Sequence, residues 1–136
     1  MIRYAIIDTD LVIVDSKWDH LEGEALMGVL GASNVFSFKP PLLESALAHM
    51  IIECCFRGVD YWRLYQLYSY FSIPIATYMQ ILTDNGWIIE VLESGYRIYP
   101  KTDPSIAVIN KHFLYAMYET LKAHFTTLKN GFEELF

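Results

Sequence analysis

The stretch from Leu42 to Tyr99 constrains this chain most, because its apolar pattern is cut into short elements by strong local punctuation. Leu43, Leu47, Met50, Ile51 and Cys54 recur at three- and four-residue steps, the stripe that an amphipathic helix buries. Pro41 suits the first turn of that helix, and Gly58 suits the left-handed position just past its end. Asp60 predicts the cap of a second helix, Tyr61 to about Phe71, with Trp62, Leu64, Tyr65, Leu67 and Tyr68 along its sides. Ser72-Ile73-Pro74 predicts a sharp restart, with serine as cap and proline in the first turn of a third helix. That helix carries Ile75, Tyr78, Met79 and Leu82 and stops at Asn85-Gly86. Trp87 to Leu92 and Tyr96 to Tyr99 then read as two strands joined by Glu93-Ser94-Gly95, a tight turn with glycine placed for a positive φ.

The flanks are simpler. Arg3 to Ile7 and Leu11 to Val14 are β-branched or aromatic runs separated by Asp8-Thr9-Asp10, which reads as a hairpin. Trp18 to Leu30 fits a short helix or another strand, and periodicity does not decide between them. Val35 to Phe38 reads as a short strand ending at Pro40-Pro41, and Asp103-Pro104 introduces a long helix from Ser105 to about Leu128. A chain of 136 residues falls in the single-domain range, and 54% hydrophobic against 19% charged residues describes a folded chain. Apolar runs such as Ala46 to Cys55 are too short to cross a bilayer, which takes about 20 residues. The N-terminus lacks the order of a signal peptide, and the adjacent Cys54 and Cys55 cannot form an ordinary disulfide. A reducing cytoplasm is the expected compartment. Cys54 reads as core filler and Cys55 as a partly exposed thiol.

The order helix, helix, short turn, helix, glycine stop and two-stranded hairpin is that of a winged helix-turn-helix. The string YMQILTDNGWIIEVLESGYRIYP resembles the end of such domains, where the third helix closes on a hydrophobic-x-x-x-Gly-hydrophobic signature and runs into the wing. Glu93-Ser94-Gly95-Tyr96-Arg97-Ile98 is similar to the Gly-Tyr-Arg hairpin of the OmpR and ToxR class of bacterial regulators. An opening antiparallel sheet and a strand leading into the first helix, as in VFSFKPPLLESAL, fit the same class. The resemblance spans roughly residues 1–100. It implies an α+β winged-helix domain over 1–100 with an N-terminal β-hairpin or small sheet, to which a heptad seam adds a C-terminal dimerisation helix over 101–136. It also implies a transcription regulator without a membrane anchor that binds double-stranded DNA as a dimer. The helix from Ile75 to Asn85 would enter a major groove, and the wing tip would touch the backbone. Thr77, Tyr78 and Gln80 would then read base edges, with Arg63, Arg97 and Lys101 holding phosphates.

Charge departs from that pattern. The formal net charge is −6, and between Val59 and Tyr96 Arg63 is the only base against Asp60, Asp84, Glu90 and Glu93. Phosphate contacts supply most nonspecific affinity for DNA, so this balance is a deficit. The link between the second and third helices is also shorter than the activation loop of the OmpR-type class. Thr77 and Gln80 read equally as the solvated face of a helix. Ten Tyr and eight Phe are many for a chain of this size, and Tyr suits half-buried positions and interfaces. A second functional reading follows: a winged helix that binds another regulatory protein through its Tyr-rich faces and leaves DNA alone.

The last helix carries Leu114, Tyr118, Leu121, Phe125, Leu128, Phe132 and Leu135 in alternating four- and three-residue steps, a heptad seam. Two such helices would pair into a homodimer, with Leu114, Tyr118, Leu121, Phe125 and Leu128 at its interface. Packing onto the chain's own domain accounts for the same stripe. Tyr4 to Ile13 looks like the first motif of haloacid-dehalogenase-type phosphatases, an apolar strand ending in Asp-x-Asp. The later carboxylates and the αβ alternation of those enzymes are missing, so Asp8 and Asp10 read as turn residues and no catalysis is expected. His20, His49, His112 and His124 have no metal spacing, and neither a metal nor another cofactor is expected. His49 reads as a hydrogen-bonded core or boundary residue.

Overall fold

The computed structural model describes the backbone of residues 1–134 and the side chains of residues 1–129. Its architecture is α+β: five α-helices and two antiparallel sheets of three strands each. Strands β1 (Ile2–Ile7) and β2 (Asp10–Ile13) form the expected hairpin, with Ile6 opposite Leu11 and Ile7 opposite Asp10. Asp8 takes the left-handed conformation (φ +55°) that a two-residue link asks of its first member. Strand β3 (Asn34–Phe38) pairs with the other edge of β1, so the sheet order is β2-β1-β3. With antiparallel neighbours on both sides, β1 is not the parallel strand on which the phosphatase motif rests.

The undecided segment before β3 is helix α1 (Gly23–Leu30), closed by Gly31 in the left-handed region (φ +66°). Arg3 explains why the connecting loop lies down on the sheet. Its guanidinium is 6% exposed and donates to the carbonyls of Leu21 (2.7 Å) and Trp18 (2.9 Å). A buried cation needs such acceptors.

Helix α2 (Glu44–Phe56) buries Leu47, Ala48, Met50, Ile51, Cys54 and Cys55. Three local expectations are corrected here. The helix starts after Leu43, which is extended (φ −85°, ψ 130°), so Pro41 lies ahead of the first turn. Cys55 is as fully buried as Cys54, and burial pushes both thiols up, Cys54 to about 12. His49 is exposed instead of sitting in the core or at its boundary. Gly58 does take the left-handed position past the helix (φ +71°).

Helix α3 (Tyr61–Phe71) is capped as expected, the Asp60 carboxylate accepting from the Arg63 amide at 3.1 Å. The restart is built differently from expectation. Ser72 closes α3 in the left-handed region (φ +50°), and Pro74 itself occupies the cap position of helix α4 (Ile75–Asp84). Ile73 between them is buried, so the chain turns by tucking a side chain into the core. Gly86 (φ +84°) then leads into β4 (Trp87–Leu92) and β5 (Gly95–Pro100), the expected hairpin, but with Leu92 opposite Gly95, so Gly95 opens the second strand and the turn is Glu93-Ser94 alone.

The largest correction lies after residue 100. In place of a helix from Ser105, the chain makes one 3₁₀ turn (Pro104–Ile106), strand β6 (Val108–Asn110) and then helix α5 (Phe113–Glu134). Strand β6 pairs with β5, Val108 opposite Ile98 and Asn110 opposite Tyr96, so the second sheet runs β4-β5-β6. A buried Thr120 hydroxyl donates to the Ile106 carbonyl at 3.1 Å, and the Asn110 side chain accepts from the His112 amide at 2.9 Å. Those bonds give the extended segment partners that a helical one would have found internally.

Helix α5 packs against α2 and β5 and completes the core that begins with Tyr4, Ile6 and Leu11. The segment expected to stand apart as a dimer helix is thus part of the same interior. Among the described residues no helix is long and apolar enough to cross a membrane.

Candidate interaction face

The six residues expected to hold DNA meet different fates. Tyr78 is fully buried, with its ring 5.4 Å from that of Tyr68 and 6.0 Å from that of Phe113. It cannot read a base edge. This corrects its assignment, and the cause is packing: Tyr78 shares the inner stripe of α4 with Leu82. Its hydroxyl finds no partner among the described residues, and burial raises its ionisation above the ordinary tyrosine value, with Tyr68 and Cys55 adding to the effect. A buried unpaired hydroxyl costs roughly 1–3 kcal/mol. Tyr78→Phe should therefore raise stability in urea denaturation, by about 1 kcal/mol, and a loss of stability would mean that the hydroxyl has a partner.

Arg63 points its Nε at the Leu11 carbonyl (3.2 Å), tying α3 to the N-terminal sheet. Arg97 donates to both oxygens of Glu90 across the β4–β5 pair (3.1 and 3.0 Å) and lies over the Tyr99 ring at 4.5 Å. The Tyr99 hydroxyl also donates to Glu90, at 3.0 Å. The arginine bond, then the tyrosine bond, hold the Glu90 carboxyl below its usual range, and Glu90 raises Arg97 in return. Both groups sit at the surface, so solvent screens the pair. Gln80 donates to Asp84 at 2.8 Å, Thr77 is half-buried, and Lys101 is exposed. The tip of the β4–β5 hairpin presents Val91 (71% exposed) and Leu92 beside Glu93 and Ser94, without a base.

The dimer seam is corrected in the same way. Leu114, Tyr118 and Leu121 are buried in the chain's own core, and Phe125 meets Phe56 edge-on at 4.8 Å. Leu128 is exposed, while the side chains of Phe132 and Leu135 lie outside the described residues. Leu114, Tyr118 and Leu121 fill the interior and cannot also face a second copy.

What the fold does assemble is an aromatic groove of about 460 Å³. Helix α3 supplies Tyr61, Trp62, Tyr65 and Tyr68, α4 supplies Ile75, and β5 supplies Tyr96. Phe113 and Leu114 close it from α5, and Lys111 and His112 lie at its margin. Positions 61, 65 and 68 share one helix stripe, which is why consecutive rings of α3 reach the same hollow. Tyr61 is the hub, its ring 6.4 Å from Tyr65, 5.7 Å from Tyr115 and 5.2 Å from Tyr118. Tyr96 meets Phe113 edge-on at 5.3 Å. Burial raises the phenol ionisation of Tyr61 and Tyr68. Trp62 and Tyr65 remain 69% and 48% exposed at the lip. The Tyr surplus signals such a face in the sequence. Lys111, His112 and Phe113 escape sequence reading because strand β6, which brings them there, has too short a pattern to be read.

Among the described residues no three His, Cys, Asp or Glu side chains converge as a metal site requires. Comparison of the chain with protein-family models, characterised proteins and solved structures returns no match.

Proposed function

We propose that the chain is a winged-helix module that binds a partner protein through the aromatic groove of α3, β5 and α5. Helices α2, α3 and α4 running into the β4–β5 hairpin support the winged-helix reading. The observation that carries the function is the groove itself, with Trp62 and Tyr65 exposed at its lip. Tyr and Trp dominate the energetics of protein interfaces because they offer large apolar area at little entropic cost, with a polar tip to orient it. Three of the six residues that would serve DNA are turned elsewhere: Tyr78 inward, Arg63 to Leu11, Arg97 to Glu90.

The DNA-binding regulator remains a second reading, favoured by one contact. The Lys101 amide donates to the Gly86 carbonyl at 2.9 Å, which brings an exposed base beside the end of α4 and its exposed Gln80 and Thr83.

A photo-crosslinker at position 62 separates the two. It should give one discrete protein adduct that a crosslinker at the exposed Val29 does not. The reconstituted complex should lose on the order of 2 kcal/mol of affinity in Trp62→Ala and again in Tyr65→Ala. Salt-dependent binding to DNA fragments that weakens in Lys101→Ala, with no adduct at position 62, would reverse the ranking.

A further inference from the structure

A second hollow, of about 340 Å³, lies between the β1–β2 turn, the corner after α2 and one face of α5. Three of the chain's ten Lys and Arg residues line it: Arg57, Lys122 and Lys129. Among the described residues no carboxylate lines it, although the chain as a whole is acidic. The nearest acids by connection are Glu53, bonded to Arg57, Asp8 and Asp10 flanking Thr9, and Asp60, whose amide donates to the Thr9 carbonyl.

The three cations are arranged, not scattered. Positions 122, 126 and 129 fall on one stripe of α5, so Lys122 and Lys129 share a face with Thr126 between them, its hydroxyl donating to the Lys122 carbonyl at 3.1 Å. Arg57 is held from two sides: its Nε donates to Glu53 at 2.9 Å, and its guanidinium carbon lies 5.3 Å from the Phe125 ring centre. That leaves both terminal amino groups of the guanidinium without a partner in the chain among the described residues. Neither Lys122 nor Lys129 makes an ion pair with a described carboxylate. Among the described residues Glu53 offsets Arg57 alone, so the two ammonium groups repel without a counter-charge and the cluster is stabilised by an anion from outside.

We propose that this hollow binds the phosphoryl group of a small ligand. A carboxylate brings one charge and two oxygens. A phosphoryl group brings close to two charges and three acceptor oxygens, which matches the two free amino groups of a guanidinium and two ammonium groups. The phosphoryl group belongs either to free phosphate or to a phosphomonoester whose organic body lies on Phe125.

Calorimetric titration of the whole chain with inorganic phosphate and with AMP, at matched ionic strength, tests the proposal. Saturable binding is expected for at least one of them, weakened about tenfold or more in Lys122→Gln/Lys129→Gln and unchanged in Lys17→Gln/Lys39→Gln. AMP binding the tighter assigns a phosphomonoester, and equal affinities assign the free anion. Should the double variant fail to fold, Arg57→Lys, which keeps the charge and loses the fork, must show the same weakening. Absence of saturation for both probes at millimolar concentration, or binding indifferent to these substitutions, overturns the proposal.

Discussion

Truncating Leu121 to Ala should lower the free energy of unfolding by about 2–5 kcal/mol and leave the oligomeric state of the chain unchanged. Leu121 is 2% exposed and belongs to the same core as Met50, Leu64 and Ile98. Its loss opens a hole inside the fold, and the cost combines lost burial with the cavity left behind. A seam residue would behave differently. Its truncation would separate two chains, and the unfolding midpoint would move with protein concentration. Urea denaturation at two concentrations, with light scattering, distinguishes the cases. Leu128, 53% exposed one heptad further on, serves as the control: its truncation should change stability by no more than about 0.5 kcal/mol. A concentration-dependent midpoint for the Leu121 variant would return the helix to the interface between chains.

Gly95→Ala should destabilise the fold by on the order of 3 kcal/mol, far beyond what a hairpin turn substitution ordinarily costs. Two separate effects meet at this position. Its backbone lies at φ +140°, which L side chains rarely adopt, and a Cβ there would run into the Asn110 carbonyl and the Lys111 Cα. Both obstacles are backbone atoms and cannot swing aside as a side-chain tip would. Relief requires β6 to move off β5, so amide hydrogen exchange of Val108 to Asn110 should accelerate together with the loss of stability. Gly28 provides the contrast, since a Cβ in the middle of α1 meets nothing within 4 Å. Gly28→Ala should be neutral or stabilise by about 0.5–1 kcal/mol. If the two substitutions behave alike, β6 does not lie against Gly95 as described.

The groove joins these experiments. Lys111 and His112 reach its margin because β6 ends at Asn110, and β6 holds its place because Gly95 lets it approach. Loosening that strand should weaken partner binding even though Gly95 lies outside the groove.

Local chemistry was legible without coordinates. Asp60 as a helix cap, Gly58 and Gly95 at positive φ, the hairpin around Asp8-Thr9-Asp10 and the pairing of β4 with β5 each depend on a few neighbouring residues whose stereochemistry permits little else. The apolar stripes of α2, α3 and α4 were legible for the same reason. The stripe of α5 was equally visible, but its destination was not. Leu114, Tyr118 and Leu121 make the same pattern whether they meet a second chain or α2, because apolar burial is non-directional and has no record of its partner in the spacing. Tyr78 and Gln80 illustrate the same limit two residues apart on one helix. One faces the core and the other water, and the helix orientation that decides it comes from contacts distant in sequence. Arg97 was freed or silenced only by Glu90, seven residues away and directly opposite across the sheet. The sequence by itself therefore determined which segments are helices, strands and turns around residues 42–100, since those depend on neighbours along the chain. Tertiary structure alone decided that β6 exists, that α5 is interior, and that rings from α3, β5 and α5 share one groove, because each of these depends on which distant surfaces exclude water together.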